Sequence, residues 1–211
     1  MKSLTLMLTS FMNIKGRKIV IVRKGESIAN QSGLLCGWIN AKLSVTGRVQ
    51  ANSLFPVFQK NLNLFEGIYS SDLQRCKEFA DIALGFNGVN GRRLLRLDTR
   101  LREINFGKDE GVHYDTLTQI EKDRINDENY KASEGESWRE VNSRFVNFIT
   151  EECQGTSLVF THGGLLCSFT SPLGLTDVVS PGSVLGVSID SNDRPSLNFI
   201  WQYDKNNIDS Q

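Results

Sequence analysis

The chain has little from which to build a metal centre or a disulfide framework. It carries four cysteines, Cys36, Cys76, Cys153 and Cys167, and two histidines, His113 and His162. No Cys-x-x-Cys pair and no zinc-ligand spacing occurs among them. The expectation is free thiols in a reducing compartment, with no metal and no other cofactor. Excess charge is missing as well: Lys+Arg and Asp+Glu are both 24, so the formal net charge is zero. That balance argues against nucleic acid as a partner held by a broadly basic surface, and leaves room for a local positive pocket. No apolar run approaches the roughly 20 residues of a membrane-spanning helix. Asn30-Gln31-Ser32 matches a glycosylation acceptor, but without a secretory signal it reads as chance.

The length, 211 residues, suits one compact domain or one domain with a cap. Residues 1–17 read as an N-terminal extension. From Met1 to Lys18 the chain holds Lys2, Lys15, Arg17 and Lys18, several Ser and Thr, and no acid. This is loosely similar in composition to an organelle transit peptide. The expected location is therefore cytoplasmic or mitochondrial, not secreted. A single domain is expected over 18–204, with a short cap at about 112–135 and a polar tail at 205–211.

The chain is organised around Lys18-Ile19-Val20-Ile21-Val22-Arg23-Lys24-Gly25-Glu26-Ser27. Four β-branched residues in a row predict a strand buried on both faces. A polar loop follows from Glu26 to Leu43. Helical spacing predicts a helix from near Thr46 toward Leu62. Gly67–Ser71 reads as a short strand, and Ser71 or Asp72 is expected to cap a helix through Leu84. Gly85–Gly91 reads as a turn, and Leu94–Leu101 as another strand. Helical character returns from Tyr114 to about Asn126. Ser137–Glu152 is the clearest helix, with Val141, Phe145, Phe148 and Ile149 on one face and a Ser137/Glu140 capping box. Ser157–Thr161 is a second buried strand running into His162-Gly163-Gly164 and an apolar helix. Val184–Ile189 and Leu197–Tyr203 form a closing hairpin across Ser191-Asn192-Asp193. This alternation predicts an α/β three-layer sandwich, its central sheet mixed but mostly parallel, with helices on both faces.

Polar groups recur at one structural address, the end of a strand entering a loop or helix: Arg23-Lys24, Arg75, Glu103 and His162. In α/β sheets ligands bind outside the carboxyl ends of the strands. Arg23 and Arg75 can fork onto phosphate oxygens. His162 can donate to the same group, and the amide of Gly163 opens a helix N-terminus that favours an anion. Glu103 is placed to protonate a leaving oxygen. Each residue alone is as well explained by a solvated cap or a satisfied surface group; their joint pattern points to a phosphate site.

Arg23-Lys24-Gly25-Glu26-Ser27, then Asn30, Gly37-Trp38, Leu43-Ser44 and Gly47, resembles the signature of the histidine phosphatase superfamily, the phosphoglycerate-mutase-like group. Ser71-Asp72-Leu73-Gln74-Arg75 is similar to its second arginine motif. Leu101-Arg102-Glu103 with Phe106-Gly107 and Glu110-Gly111 is similar to its general-acid motif. Gly135-Glu136-Ser137 and Thr161-His162-Gly163-Gly164 complete the order, over about Ile19–Ile189. The short segment between Gly111 and Gly135 resembles the phosphatase branch. The resemblance implies a site with Lys24, Glu103 and His162 as its catalytic positions and Arg23, Asn30, Gly37, Arg75 and Gly163 around the phosphate.

The chain departs from that pattern at its centre. The family has Arg-His-Gly, whose histidine attacks phosphorus; here Lys24 stands at that place. An unperturbed lysine has a pKa near ~10.4, so about one part in a few thousand is neutral at pH 7. Arg23, Arg75 and His162 are expected to depress that value in an empty pocket, and a bound dianion to restore it. Asn40 stands where the family often has Asp, Asp109 where it often has Trp, and Cys36 where mutases commonly have Ser. The favoured expectation is a catalytically impaired pseudo-phosphatase that binds phosphate or a phosphorylated small molecule, or serves as a structural or regulatory subunit in a protein complex. The alternative is an active phosphomonoester hydrolase working through phospholysine or through water activated by His162.

Overall fold

The computed structural model describes residues 3–86 and 94–204. Most of the Gly85–Gly91 turn and the 205–211 tail therefore lie outside the described residues. The segment 19–22 is fully buried and forms the middle of β1, Arg17–Arg23. Because alternate side chains leave opposite faces of a strand, Val20 and Val22 enter one hydrophobic core while Ile19 and Ile21 enter a second. The uninterrupted run of β-branched residues is thus what a strand covered on both sides requires.

Six strands form one sheet in the order β3-β2-β4-β1-β5-β6. The others are β2 (Gly67–Ser70), β3 (Leu95–Leu97), β4 (Thr156–Thr161), β5 (Val184–Ile189) and β6 (Pro195–Trp201). β1 pairs parallel with β4, and β2 parallel with both β4 and β3. β5 runs antiparallel to β1 and to β6. The sheet is mixed and mostly parallel at its centre, as expected.

Helices cover both faces. α1 (Leu4–Met12), α3 (Val45–Asn61) and α4 (Gln74–Leu84) contribute to the core that holds Val20 and Val22. α6 (Trp138–Glu152) and α7 (Gly163–Thr170) contribute to the other, where Phe145 meets Phe169 edge-on with centroids 4.9 Å apart. The Ser137/Glu140 capping box forms in both directions at the head of α6. No helix among the described residues is long and apolar enough to cross a membrane.

Several local expectations change. Residues 4–12, within the stretch read as an extension, fold as α1 and bury Leu4, Leu8 and Phe11; Phe11 packs edge-on to Phe199 of β6 at 5.3 Å. The loop after β1 contains the short helix α2, Ile28–Gln31, capped by Ser27. Neither Ser71 nor Asp72 is the cap residue of α4, which is Leu73 with no side-chain cap bond. Instead Asn40 Oδ1 accepts from Gln74 N at 3.0 Å, while Asp72 turns away to pair with Arg102. Leu94–Leu101 is a strand only over Leu95–Leu97, because Asp98 accepts from Arg100 N at 2.8 Å and winds Thr99–Leu101 into a 3-10 turn. The cap region splits into a 3-10 turn at Tyr114–Thr116 and α5, Gln119–Asn126, which restarts at a Thr118/Glu121 capping box. β6 begins at Pro195, earlier than expected, and ends at Trp201.

Candidate functional site

Strand order brings the site together. Arg23, the last residue of β1, lies opposite Thr161, the last of β4, and Lys24 N donates to Thr161 O at 2.8 Å. Ser70 at the end of β2 lies opposite Phe160, so Ser71 comes beside His162. Arg23, Lys24, Ser71 and His162 therefore share the carboxyl edge of three neighbouring strands. Arg75 arrives on the first turn of α4, and Glu103 on the segment that follows β3.

Lys24 is 3% exposed, and Asn30 Oδ1 accepts a hydrogen bond from its Nζ. The same oxygen accepts from Ser27 N at 3.1 Å and Ser27 Oγ at 2.8 Å, so α2 is folded around the lysine head group. Burial, then Arg75 and Arg23, lowers the lysine to about pKa 7, with Glu103 opposing. The expectation of a depressed lysine holds in direction, but with a different main cause. Desolvation leads, and His162 is not among the principal charges acting on it. His162 is itself fully buried and held well below 6.5 by burial and by Arg75 and Lys24, so it stays neutral.

His162 Nε2 is 2.8 Å from Ser71 Oγ. That hydroxyl oxygen also accepts from Leu73 N at 3.3 Å, and its second lone pair and its own proton both remain available to Nε2. With the hydroxyl donating, the imidazole proton sits on Nδ1; with it accepting, the proton sits on Nε2. Nδ1 is buried and without a partner, as is Arg23 Nε. One Nη of Arg23 donates to Val179 O. Gly163 leaves space for this guanidinium, since a Cβ there would lie 2.9 Å from Arg23 Cζ.

Arg75 and Gly37, two of the expected phosphate contacts, also make contacts within the chain. Arg75, 1% exposed, donates to the carbonyls of Ile39 at 2.7 Å, Cys36 at 3.2 Å and Gly37 at 2.5 Å. Its guanidinium pins the 36–39 loop over the site. Gly37 serves Arg75 through its carbonyl, and a Cβ there would strike Ile104 O and Glu110 Oε1. At the head of α7 the two amides after Gly163 are taken from within the chain: Glu103 accepts from Gly164 N at 3.0 Å and Leu165 N at 3.1 Å, and also from its neighbour Ile104 N at 3.0 Å. A carboxylate satisfies the open N–H groups of a helix start as phosphate would.

Other contributors were not singled out from the sequence. Arg144 donates to Arg100 O at 2.6 Å and Glu103 O at 2.9 Å while pairing with Glu136 at 2.8 Å. Trp38 Nε1 donates to Glu103 O at 2.9 Å, and Arg102 stacks on its ring at 4.7 Å. Glu110 receives Trp38 N at 2.6 Å and Ile39 N at 2.8 Å. Trp38, Glu110 and Glu136 belong to the quoted motifs; Arg144 has no such signal, because the carbonyls it holds, on Arg100 and Glu103, lie 44 and 41 residues away along the chain. Asp109 anchors the cap by accepting from Tyr130 OH at 3.1 Å. The cap is tied to the loop after α2 through Leu35 N to Val112 O at 2.9 Å and Tyr114 N to Gly33 O at 2.7 Å.

Comparison with known proteins matches this geometry to a family. A putative phosphoserine phosphatase 2 of Hydrogenobacter thermophilus is 29% identical over 158 residues, 71% of this chain and 75% of that one. A probable phosphoglycerate mutase of Escherichia coli is 32% identical over 169 residues, 75% of either chain. The crystal structure of phosphoglycerate mutase from Thermus thermophilus superimposes with a TM-score of 0.71 at 29% identity, covering 89% of this chain and 99% of the other. The pattern of the Histidine phosphatase superfamily (branch 1) matches residues 19–178. From β1 through the head of α7 and on to the segment that holds Arg23, the chain belongs to the histidine phosphatase superfamily.

Proposed function

We propose that this protein binds the phosphate group of a small phosphate ester at the carboxyl edge of β1, β2 and β4, and that Lys24 stands at the nucleophile's place without supporting covalent catalysis at ordinary rates. The observation that carries the reading is the pair of buried groups without partners, Arg23 Nε and His162 Nδ1, on the two adjacent strand ends that enclose Lys24. A buried donor left unpaired is costly, and a dianion supplies acceptor oxygens to Arg23 Nε and, in the tautomer protonated at Nδ1, to His162. The superfamily's phosphate chemistry, named in its relatives, supports the same ligand class.

Phosphate itself suppresses attack by the lysine. The depressed value of Lys24 comes from burial and from neighbouring cations. A dianion offsets those cations, the amine takes up a proton, and its lone pair is lost when attack requires it. The resulting ammonium is one more cation on the ligand. Such a site suits a phosphate-responsive or structural subunit.

One observation favours the second reading, an active phosphomonoester hydrolase. At about pKa 7 roughly half of the lysine is neutral at pH 7 before ligand binds. Phosphate release from p-nitrophenyl phosphate and from sugar phosphates separates the two. The expected result is no release above background by the parent, and turnover by Lys24→His. Ordinary turnover by the parent, abolished in Glu103→Ala and accompanied by phospholysine at position 24, would establish the hydrolase instead.

A further inference from the structure

Lys24 carries a reactivity that phosphate binding does not use. Its amine is buried, the residue being 3% exposed, and donates to Asn30 Oδ1. Groups from every element packed around it bear on its charge: Arg23 beside it, Cys36 of the loop over the site, Arg75 and Cys76 of α4, Glu103 after β3 and His162 after β4. Burial and the two guanidiniums bring the amine to about pKa 7, where an ordinary lysine stays near ~10.4. A neutral amine in a cationic surrounding is a nucleophile whose best product is an anion.

The groups to hold such an anion are already in place. Arg23 Nε is buried and without a partner. The same guanidinium is anchored through one Nη to Val179 O and lies against Gly163. His162 Nδ1 is also buried and without a partner. β4 lies between β2 and β1, and His162 turns Nε2 to Ser71 at the β2 end. The other ring nitrogen is thereby left to the β1 end, where Arg23 and Lys24 stand. Carbon dioxide suits this surrounding. It is small and uncharged, so it enters a buried pocket without the cost of stripping water from an ion. It adds to neutral amines and not to ammonium, and the product is a carboxylate.

We infer that Lys24 is a carbon dioxide acceptor, whose carbamate is held by Arg23 Nε–H and by His162 protonated at Nδ1. The Nζ lone pair forms the new C–N bond while one C–O π pair moves onto oxygen. The amine then loses a proton to solvent, so Lys–NH2 and CO2 give Lys–NH–CO2− and H+, with nothing oxidised or reduced. The carbamate nitrogen keeps one hydrogen, enough for Asn30 Oδ1. This goes beyond the phosphate-binding reading and does not require it. Where both hold, the two anions exclude one another: they share the same donors, and phosphate returns the amine to unreactive ammonium.

Carbon NMR of the whole chain in isotope-labelled bicarbonate near pH 7.5, where ordinary lysines are almost all ammonium, tests it. Ethylation of the carbamate by triethyloxonium, followed by peptide mass spectrometry, is expected to place it on Lys24 in the parent, with no variant involved. An α-amino terminus, ordinarily near ~7.7–8.0, reacts as well and maps to a different peptide. Inorganic phosphate should reduce the Lys24 carbamate several-fold. Glu103→Gln, which removes the opposing carboxylate, should raise it several-fold at the same CO2. Carbamate mapped to the α-amino terminus and not to Lys24, with calorimetry showing phosphate bound, overturns the inference alone. A Lys24 carbamate unmoved by phosphate that calorimetry shows to bind overturns Arg23 and His162 as its holders. A chain that neither forms the carbamate nor binds phosphate overturns both readings.

Discussion

Glu103 Oε2 accepts from the backbone N–H of Gly164 at 3.0 Å, so the chain's own carboxylate occupies the helix start that follows His162. This places a negative charge beside Arg23 and Lys24, and both feel it. Replacing Glu103 by Gln keeps an acceptor and removes the charge. The loss at the helix N-terminus should cost about 1 kcal/mol, or roughly 2–4 °C in Tm for a chain of this size. Inorganic phosphate should bind several-fold more tightly, because a competing anion has gone. Thermal unfolding and a phosphate titration on the same variant check both signs. A Tm that stays put while phosphate binding weakens would contradict this account of Glu103.

Lys24 makes stability depend on pH in an unusual direction. Its value is about 7 folded and 10.5 for a free side chain. Between those values the unfolded chain binds more protons than the folded one. Stability contributed by this group therefore rises with pH through that window and is complete above it. Below pH 7 both states are protonated, and the cost of burying the ammonium is fully present. The expected slope is on the order of 1 kcal/mol per pH unit near pH 8–9. Urea midpoints from pH 6 to 10 should climb more steeply for the parent than for Lys24→Met. Parallel curves for the two proteins would mean that the amine is not buried as described.

The two core faces of β1 could be read directly, because Ile19, Val20, Ile21 and Val22 are apolar without alternation, which only a strand covered on both sides tolerates. α6 was equally plain: its cap residues and its buried Val141, Phe145, Phe148 and Ile149 agree with one another. α1 was harder. Leu4, Leu8 and Phe11 do recur at helical spacing, but the opposite face is Thr, Ser and Met rather than charged residues, so contrast is low. The shared position of Arg23, Lys24, Arg75, Glu103 and His162 at strand ends was visible. What those side chains touch was not, since Arg75 meets carbonyls from Cys36 to Ile39, and Arg144 reaches Glu103 from another helix. The degree of burial of Lys24 is likewise a tertiary property, and it is burial that moves the amine toward neutrality.

Arg144 is expected to matter for stability well beyond a surface ion pair. Its guanidinium bridges Glu136 and the carbonyls of Arg100 and Glu103, and both partners of the ion pair are largely buried, at 15% and 18% side-chain exposure. Arg144→Met keeps much of the side chain's volume but leaves the Glu136 carboxylate and two carbonyl groups without this donor. Truncating one partner of a buried pair costs about 3 kcal/mol or more. The urea midpoint of Arg144→Met should fall accordingly. The double variant Arg144→Met/Glu136→Gln should recover part of the loss, because no unpaired charge remains. A double variant no better than the single one would assign the cost to packing instead.

Binding of phosphate should be accompanied by uptake of a proton. At pH 8 most of the free protein carries Lys24 as a neutral amine, given a value of about 7. A dianion set against Arg23, His162 and Lys24 favours the ammonium. The proton must then come from solvent, since His162 is already neutral and has no acidic proton to give up. Calorimetric titration with inorganic phosphate at pH 8, in buffers of different ionisation enthalpy, should show uptake approaching one proton per site. At pH 6, where the lysine is already charged, the uptake on Lys24 should vanish. Lys24→Met should show none of this buffer dependence at pH 8 while still binding phosphate through Arg23 and His162. Buffer-independent heats in the parent at pH 8 would show that the lysine does not change its charge when phosphate arrives, and would separate the amine from the anion.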